Sequence, residues 1–179
     1  MNEGTFAKIS LTFRKENVKM LKHYLIMALL SILPISELRG AIPYGYLNGI
    51  PLYQCFIISV LVNAMAPLLG YFFFSTLHKV LDKWQTYHRF FERTIARSRA
   101  KVGPQVEKYG LIGLAIFVGV PLPMTGAWTG TIGSWVLGLD KKKSALSIQA
   151  GVLIAGIVVT LVVYTGAGIG SLFTTKVAL

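Results

Sequence analysis

The chain is poor in the residues that most often carry covalent chemistry. Its single cysteine, Cys55, sits in an apolar run; that excludes an intrachain disulfide, and no metal-ligand spacing surrounds it. Its three histidines, His23, His78 and His88, all lie outside the apolar segments. No membrane-embedded Ser-His pair is therefore available, and no His-Glu-x-x-His motif occurs. Only one acid, Glu37, stands inside an apolar segment, which leaves no partner for an aspartyl-type dyad. These absences argue against an enzyme, a bound metal or a cofactor. Charge is scarce as well: charged residues make up 14% of 179 and hydrophobic residues 54%, with a mean hydropathy of +0.60. Soluble domains carry about 25% charge, so the composition points to one integral membrane domain, residues 1–179. The charge that exists leans positive, 18 Lys and Arg against 7 Asp and Glu, a net +11. No nucleic-acid-binding motif accompanies it. Cationic loops beside membrane segments account for the excess, and nucleic acid is not an expected partner.

What the chain does have is an interrupted apolar stretch. Residues 24–34 are apolar; Ile35-Ser36-Glu37-Leu38-Arg39-Gly40-Ala41-Ile42-Pro43 then brings an acid, a base and helix breakers, and Tyr44-Gly45-Tyr46-Leu47-Asn48 follows. A charge at bilayer depth costs about 2.5–3.5 kcal/mol even on the mildest scale. Pro34, Gly40, Pro43 and Gly45 do not all fit one regular helix. Broken backbone inside a membrane is tolerated only where protein buries it or a wet cavity receives it. Glu37, Arg39, Gly40 and Pro43 are therefore candidate site residues.

The remaining segments follow from periodicity. Residues 1–23 place Lys8, Thr12, Lys15, Lys19 and Lys22 on one helical face and Phe6, Ile9, Phe13 and Met20 largely on another, an amphipathic helix on the membrane surface. No small-x-small cleavage site follows, which argues against a signal peptide. Residues 24–75 form a first unit. Its broken segment, 24–48, opens with about a dozen apolar residues, ~18 Å as helix, short of the ~20 residues a crossing needs. A full span over 51–74 comes next, interrupted at Asn63 and Pro67. Residues 76–108 are a second, basic amphipathic helix: Arg89, Arg93 and Arg97 form one row, and Leu77, Leu81, Trp84, Tyr87, Phe91 and Ile95 recur every three or four positions. Such a helix snorkels its cations to anionic headgroups, and Gly103-Pro104 ends it. Residues 109–168 form a second unit, with a break at Pro121-Leu122-Pro123-Met124-Thr125-Gly126-Ala127-Trp128-Thr129-Gly130. A full span over 144–168 follows, carrying Gln149 and a small-residue packing face at Gly151 and Ala155. The glycines from Gly166 to Gly170 read as a helix end, and residues 169–179 as a tail.

A shift of 86 positions lays Gly40-Ala41 on Gly126-Ala127 and Asn63-Ala64 on Gln149-Ala150, with Glu37 on Pro123 and Arg39 on Thr125. Each unit then reads as short apolar run, Pro/Gly break, second short run, and full span carrying an amide. One net crossing per unit turns the second upside down on the first. The expected fold is all-α integral membrane: an inverted repeat of two units, each a re-entrant (broken) helical hairpin plus one transmembrane helix, with amphipathic interfacial helices beside them. Kinked full spans, giving four crossings, are the competing reading. Both put residues 76–108 in the cytoplasm.

In the re-entrant reading the second half-helices start near Gly40-Ala41 and Gly126-Ala127 and turn free N–H groups toward the midplane. With Arg39 beside them, a phosphate or carboxylate has a place. Glu37, balanced between desolvation and the Arg39 charge, suits a proton or a cation. The bland alternative is that Glu37 and Arg39 pair with each other and only hold the break together. Asn63, Thr125, Thr129 and Gln149 add polar lining, and Pro121, Pro123 and Gly126 shape the second break.

Taken together, the stretch from Pro34 to Pro43, Lys108-Tyr109-Gly110, and Val120-Pro121-Leu122-Pro123-x-Thr125-Gly126-Ala127-Trp128-Thr129-Gly130 resemble the putative small multidrug export protein family from about residue 24 onward, and through it the wider DedA-like membrane proteins. The resemblance implies two opposed re-entrant loops with acids and arginines near their tips, matched in kind by Glu37 and Arg39. The second loop departs from that pattern, carrying Pro123 and Thr125 and no charge. Drug export and proton-coupled lipid-carrier movement are the implied activities. The expectation is a transporter of a small amphipathic solute, proton-coupled, in the plasma membrane of a prokaryote, surrounded by membrane lipids and working as a homodimer. A translocase (flippase) of lipid phosphates such as polyprenyl phosphate is the alternative, and a non-transporting membrane assembly factor a second one.

Overall fold

No glycine or proline falls between Thr5 and Leu33, and the chain runs one helix, α1 (Glu3–Ile32), through that whole stretch. The computed structural model describes residues 3–76, 85–122 and 125–177, with side chains over 16–76, 92–122 and 125–166. At 1.5 Å per residue α1 is about 45 Å long, so the surface helix and the first apolar run are one element, with no break at residue 24. It stops where Pro34 disfavours a helical Leu33. The Leu33 carbonyl accepts from Ser36 N (3.2 Å) and Glu37 N (3.0 Å), closing a short turn. α2 (Glu37–Leu47) begins there, three residues before the Gly40-Ala41 start expected from sequence. Gly40, Pro43 and Gly45 all lie inside α2; with Pro34 left in the turn, Pro43 costs only one intrahelical bond.

The first expected span is two helices, α3 (Leu52–Asn63) and α4 (Ala66–Thr76). Pro67 has no N–H to return to the Asn63 carbonyl, so the chain steps at Ala64-Met65. α5 (Gln85–Gly119) passes through Gly103-Pro104, the expected stop, and bends at Gly110 (φ 58°, ψ −137°), a backbone conformation open to glycine. The arm before that bend is not free on a surface. Ser98, Val102 and Gly103 are buried, the Gln105 carbonyl lies against Gly113, and Val102 lies against Gly133. Leu77, Lys79, Leu81, Lys83 and Trp84 of the basic segment lie outside the described residues. After the second break come α6 (Ala127–Val136) and α7 (Lys141–Val177). α7 continues through the glycines at 166–170, where sequence suggested an end.

Every element among the described residues is a helix. The stretches Leu52–Thr76 and Lys141–Gly166, with hydropathies of 2.0 and 2.4, are long and apolar enough to cross a membrane, and only 33% of each apolar window is buried. Leu61, Leu68, Phe72, Leu146 and Val162 all face outward. A buried core helix would not leave so much apolar surface bare; lipid suits it. α2 occupies the middle. Leu38, Ala41, Ile42 and Gly45, spaced i, i+3, i+4, i+7, are its buried face, packed on α1, α3 and α7. Gly45 is pressed between Met27 and Cys55, where a Cβ would fall 2.4 Å from one sulfur and 2.8 Å from the other; the lone cysteine is core packing. The starts of α2 and α6, and of α3 and α7, are offset by 90 and 89 positions.

Candidate functional site

The breaks after α1 and α5 meet, and each supplies what the other lacks. A helix that starts inside a protein leaves its first N–H groups without intrahelical partners. At α6 the Glu37 carboxylate takes them: Ala127 N donates to Oε2 (3.3 Å) and Trp128 N to Oε1 (3.2 Å). An acid there also meets the positive end of the helix dipole. Arg39 serves the opposite pole. Its Nη1 donates to the carbonyls of Leu122 (2.6 Å) and Thr125 (2.5 Å). Its Nη2 donates to the carbonyls of Val120 (3.3 Å) and Val118 (3.4 Å) and to Thr125 Oγ1 (3.0 Å). The Val120 and Leu122 carbonyls also accept within the break, from Leu122 N and Thr125 N, so the guanidinium adds a second set of bonds to an already turned backbone. The second half reciprocates, since Trp128 Nε1 donates to the carbonyl of Ile32 (2.7 Å), the last residue of α1. Arg39 thus spends its side-chain hydrogen bonds, and Glu37 those from two backbone N–H groups, across the breaks on the other half of the molecule.

The backbone is shaped for this contact. Glu37 has φ +51°, a left-handed conformation that costs a non-glycine residue about 1–2 kcal/mol. Gly126 has φ +140°, and a Cβ there would lie 2.2 Å from Glu37 Oε2. Only a glycine lets the carboxylate reach the start of α6. Glu37 is 5% exposed, and the buried Asn63 side chain is a further hydrogen-bonding neighbour. Two buried polar atoms at the site have no partner, Asn63 Oδ1 and Arg39 Nε. Buried polar atoms are rarely left so.

An open cavity of about 530 Å³ lies against this junction, with Ser36, Glu37, Arg39, Pro121, Thr125 and Thr129 among its lining residues. That volume falls in the range of small-molecule sites. Of the candidates read from sequence, Glu37, Arg39, Pro121, Thr125 and Thr129 line the cavity, Asn63 stands behind the carboxylate, and Gly126 sets the approach. Gly40 and Pro43 lie within α2 and are not among the lining residues. Gln149 donates from Nε2 to the Ala64 carbonyl (3.2 Å), serving the α3–α4 step. Pro123 lies outside the described residues. The α6 N-terminus and the guanidinium, both offered by sequence as places for an anion, are engaged by groups of the protein itself. Trp128 is the residue that the sequence reading missed. Its signal was there: an indole N–H in an apolar segment needs an acceptor, and a helix broken at a proline leaves one free. Among the described residues no group of three or more His, Cys, Asp or Glu is placed to hold a metal ion.

No curated protein and no solved structure matches the chain. The family model described as "Putative small multi-drug export protein" matches residues 37–158, from the Glu37 cap to the middle of α7 and more than half of the chain, so the protein belongs to that family.

Proposed function

We propose that the protein is an integral membrane transporter, not an enzyme, and that it moves a small amphipathic solute through the cavity between the two breaks. The mutual capping of the breaks is the observation that supports this most. It gathers an acid, a guanidinium and unwound backbone beside a cavity, between helices that are otherwise apolar, and polar groups in such surroundings are commonly functional. In this reading α3–α4 and α7 cross the bilayer. The α1–α2 and α5–α6 hairpins enter and return as opposed re-entrant loops, and the cavity stands near the midplane, an inverted-repeat plan shared by many transporters and in keeping with a DedA-like relationship. Residues 76–108 face the cytoplasm, the membrane is the plasma membrane of a prokaryote, and two copies associate to shield the cavity from lipid. Glu37 carries the coupled proton. Protonation removes the charge that holds the start of α6, which loosens one hairpin from the other and ties the proton to opening.

Efflux of ethidium from proteoliposomes under a pH gradient tests this directly. Glu37→Gln keeps the size of the side chain and removes its charge; efflux is expected to fall about tenfold or more while the purified protein stays monodisperse. Unchanged efflux would end the proton role of Glu37. Topology is tested with the single thiol moved. In a Cys55→Ala background, Asn48→Cys and Asp140→Cys are labelled with a membrane-impermeant maleimide. Re-entrant hairpins put the two positions on opposite sides, so labelling of both from the same side establishes four crossings and removes the midplane site as drawn.

A further inference from the structure

A second cavity, of about 430 Å³, opens beside the first. Leu122 and Thr125 line both, so the backbone that Arg39 holds is the wall between them. The second cavity also has Lys101, Pro104 and Gln105 from the arm of α5 before Gly110, and Ile116, Phe117 and Val120 from the arm after it. Sequence placed Lys101 on a surface helix. The bend at Gly110 instead packs that arm on the second hairpin and brings Lys101 beside the break. No carboxylate is among the lining residues. Lys101 and Gln105 are four residues apart on one helix, hence on one face. Gln105 Oε1 is buried without a hydrogen-bond partner. The rest of the lining is largely apolar.

We propose that this second cavity binds an amphipathic molecule with a single anionic head, a carboxylate or a phosphate ester, holding the head at Lys101 and the apolar body against Ile116, Phe117 and Val120. The proposal deepens the transporter reading, and rests on it only for the step in which the molecule passes the Leu122–Thr125 wall into the first cavity. Binding itself does not depend on transport. An ammonium with no carboxylate beside it in the lining selects an anion over a cation, and the apolar walls reward a body of several carbons.

The test uses the full chain in phosphatidylcholine nanodiscs, with the fluorescent probe 11-(dansylamino)undecanoate. Saturable binding is expected, competed by dodecyl phosphate and not by dodecyltrimethylammonium. Lys101→Gln should weaken the probe about tenfold or more, the worth of one hydrogen bond to a charged group, and Lys101→Arg should restore most of it. If the glutamine variant fails to fold, Val120→Trp, which fills the cavity, should remove binding by itself. Equal affinity in the folded Lys101→Gln variant, binding retained in Val120→Trp, or equal competition by the cationic amphiphile overturns the proposal. Phosphatidylglycerol in the disc separates the sources: displacement of the probe makes a lipid headgroup the occupant, and no displacement makes it a solute from water. Anion-selective binding without solute movement in proteoliposomes keeps this cavity and sinks the transporter reading. Transport without anion-selective binding does the reverse.

Discussion

Gly126→Ala is expected to abolish efflux and to destabilise the protein by roughly 3 kcal/mol or more. Two costs combine. The φ of +140° belongs to glycine alone, and the new methyl would lie 2.2 Å from Glu37 Oε2 and 2.7 Å from its Cδ. The carboxylate cannot simply move aside. It is 5% exposed, its own backbone is held at φ +51°, and any retreat breaks its bonds to Ala127 N and Trp128 N, leaving a buried charge with two fewer donors. Gly138→Ala is the control. Gly138 also has positive φ, +67°, and a Cβ there meets nothing within 4 Å, so its cost is conformational, about 1–2 kcal/mol. Unfolding in detergent measures both. Coupling to Glu37 is then read from a double-mutant cycle: with Glu37→Ala already present, Gly126→Ala should cost markedly less than in the wild type. Equal stability of Gly126→Ala and Gly138→Ala, or an additive cycle, would show that the contact with the carboxylate carries no weight.

Arg39→Ala carries the next largest effect, about 3–5 kcal/mol. It removes the guanidinium donors from the carbonyls of Val118, Val120, Leu122 and Thr125 at one stroke, leaving Val120 and Leu122 only the donors of the break itself, and removes the counter-charge that acts on Glu37. Arg39→Lys is the informative companion. It keeps the charge and loses the planar fork that lets two nitrogens reach separate carbonyls. Stability and efflux should both fall in the order wild type, Arg39→Lys, Arg39→Ala. A lysine variant indistinguishable from wild type would mean that charge alone matters at this position, and the account of the second break as a capped structure would need replacing.

Much of this was legible in the residues. Glu37 and Arg39 announced themselves by being charged in an apolar stretch, and Pro34 and Gly126 marked both breaks, because those features act through local backbone chemistry. Asn63 and Pro67 marked the step in the first span for the same reason. What sequence could not give was direction. Whether Arg39 bonds to Glu37 two residues away or to carbonyls some 80 residues away depends on how the hairpins pack, and packing has no periodic signature. The bend at Gly110 illustrates a second limit. Gly103-Pro104 is the stronger breaker by composition, yet a proline inside a packed helix loses one bond, whereas reversing the chain needs a glycine at φ +58°. That choice moved Lys101 from a surface helix to a cavity wall.

The reciprocal capping also sets a clock. Glu37 and Trp128 are 91 positions apart, and ribosomes add about 5–20 residues per second, so the first hairpin exists for on the order of ten seconds before its partner residues have been made. Over that interval the Ile32 carbonyl has no indole to meet, and Glu37 and Arg39 have neither N–H groups nor carbonyls to bind. A nascent chain in that condition has every reason to keep its first hairpin at the water interface or against an insertion factor. Burial then becomes a late step of synthesis, open only once residues 118–128 have left the ribosome and both hairpins can lock together.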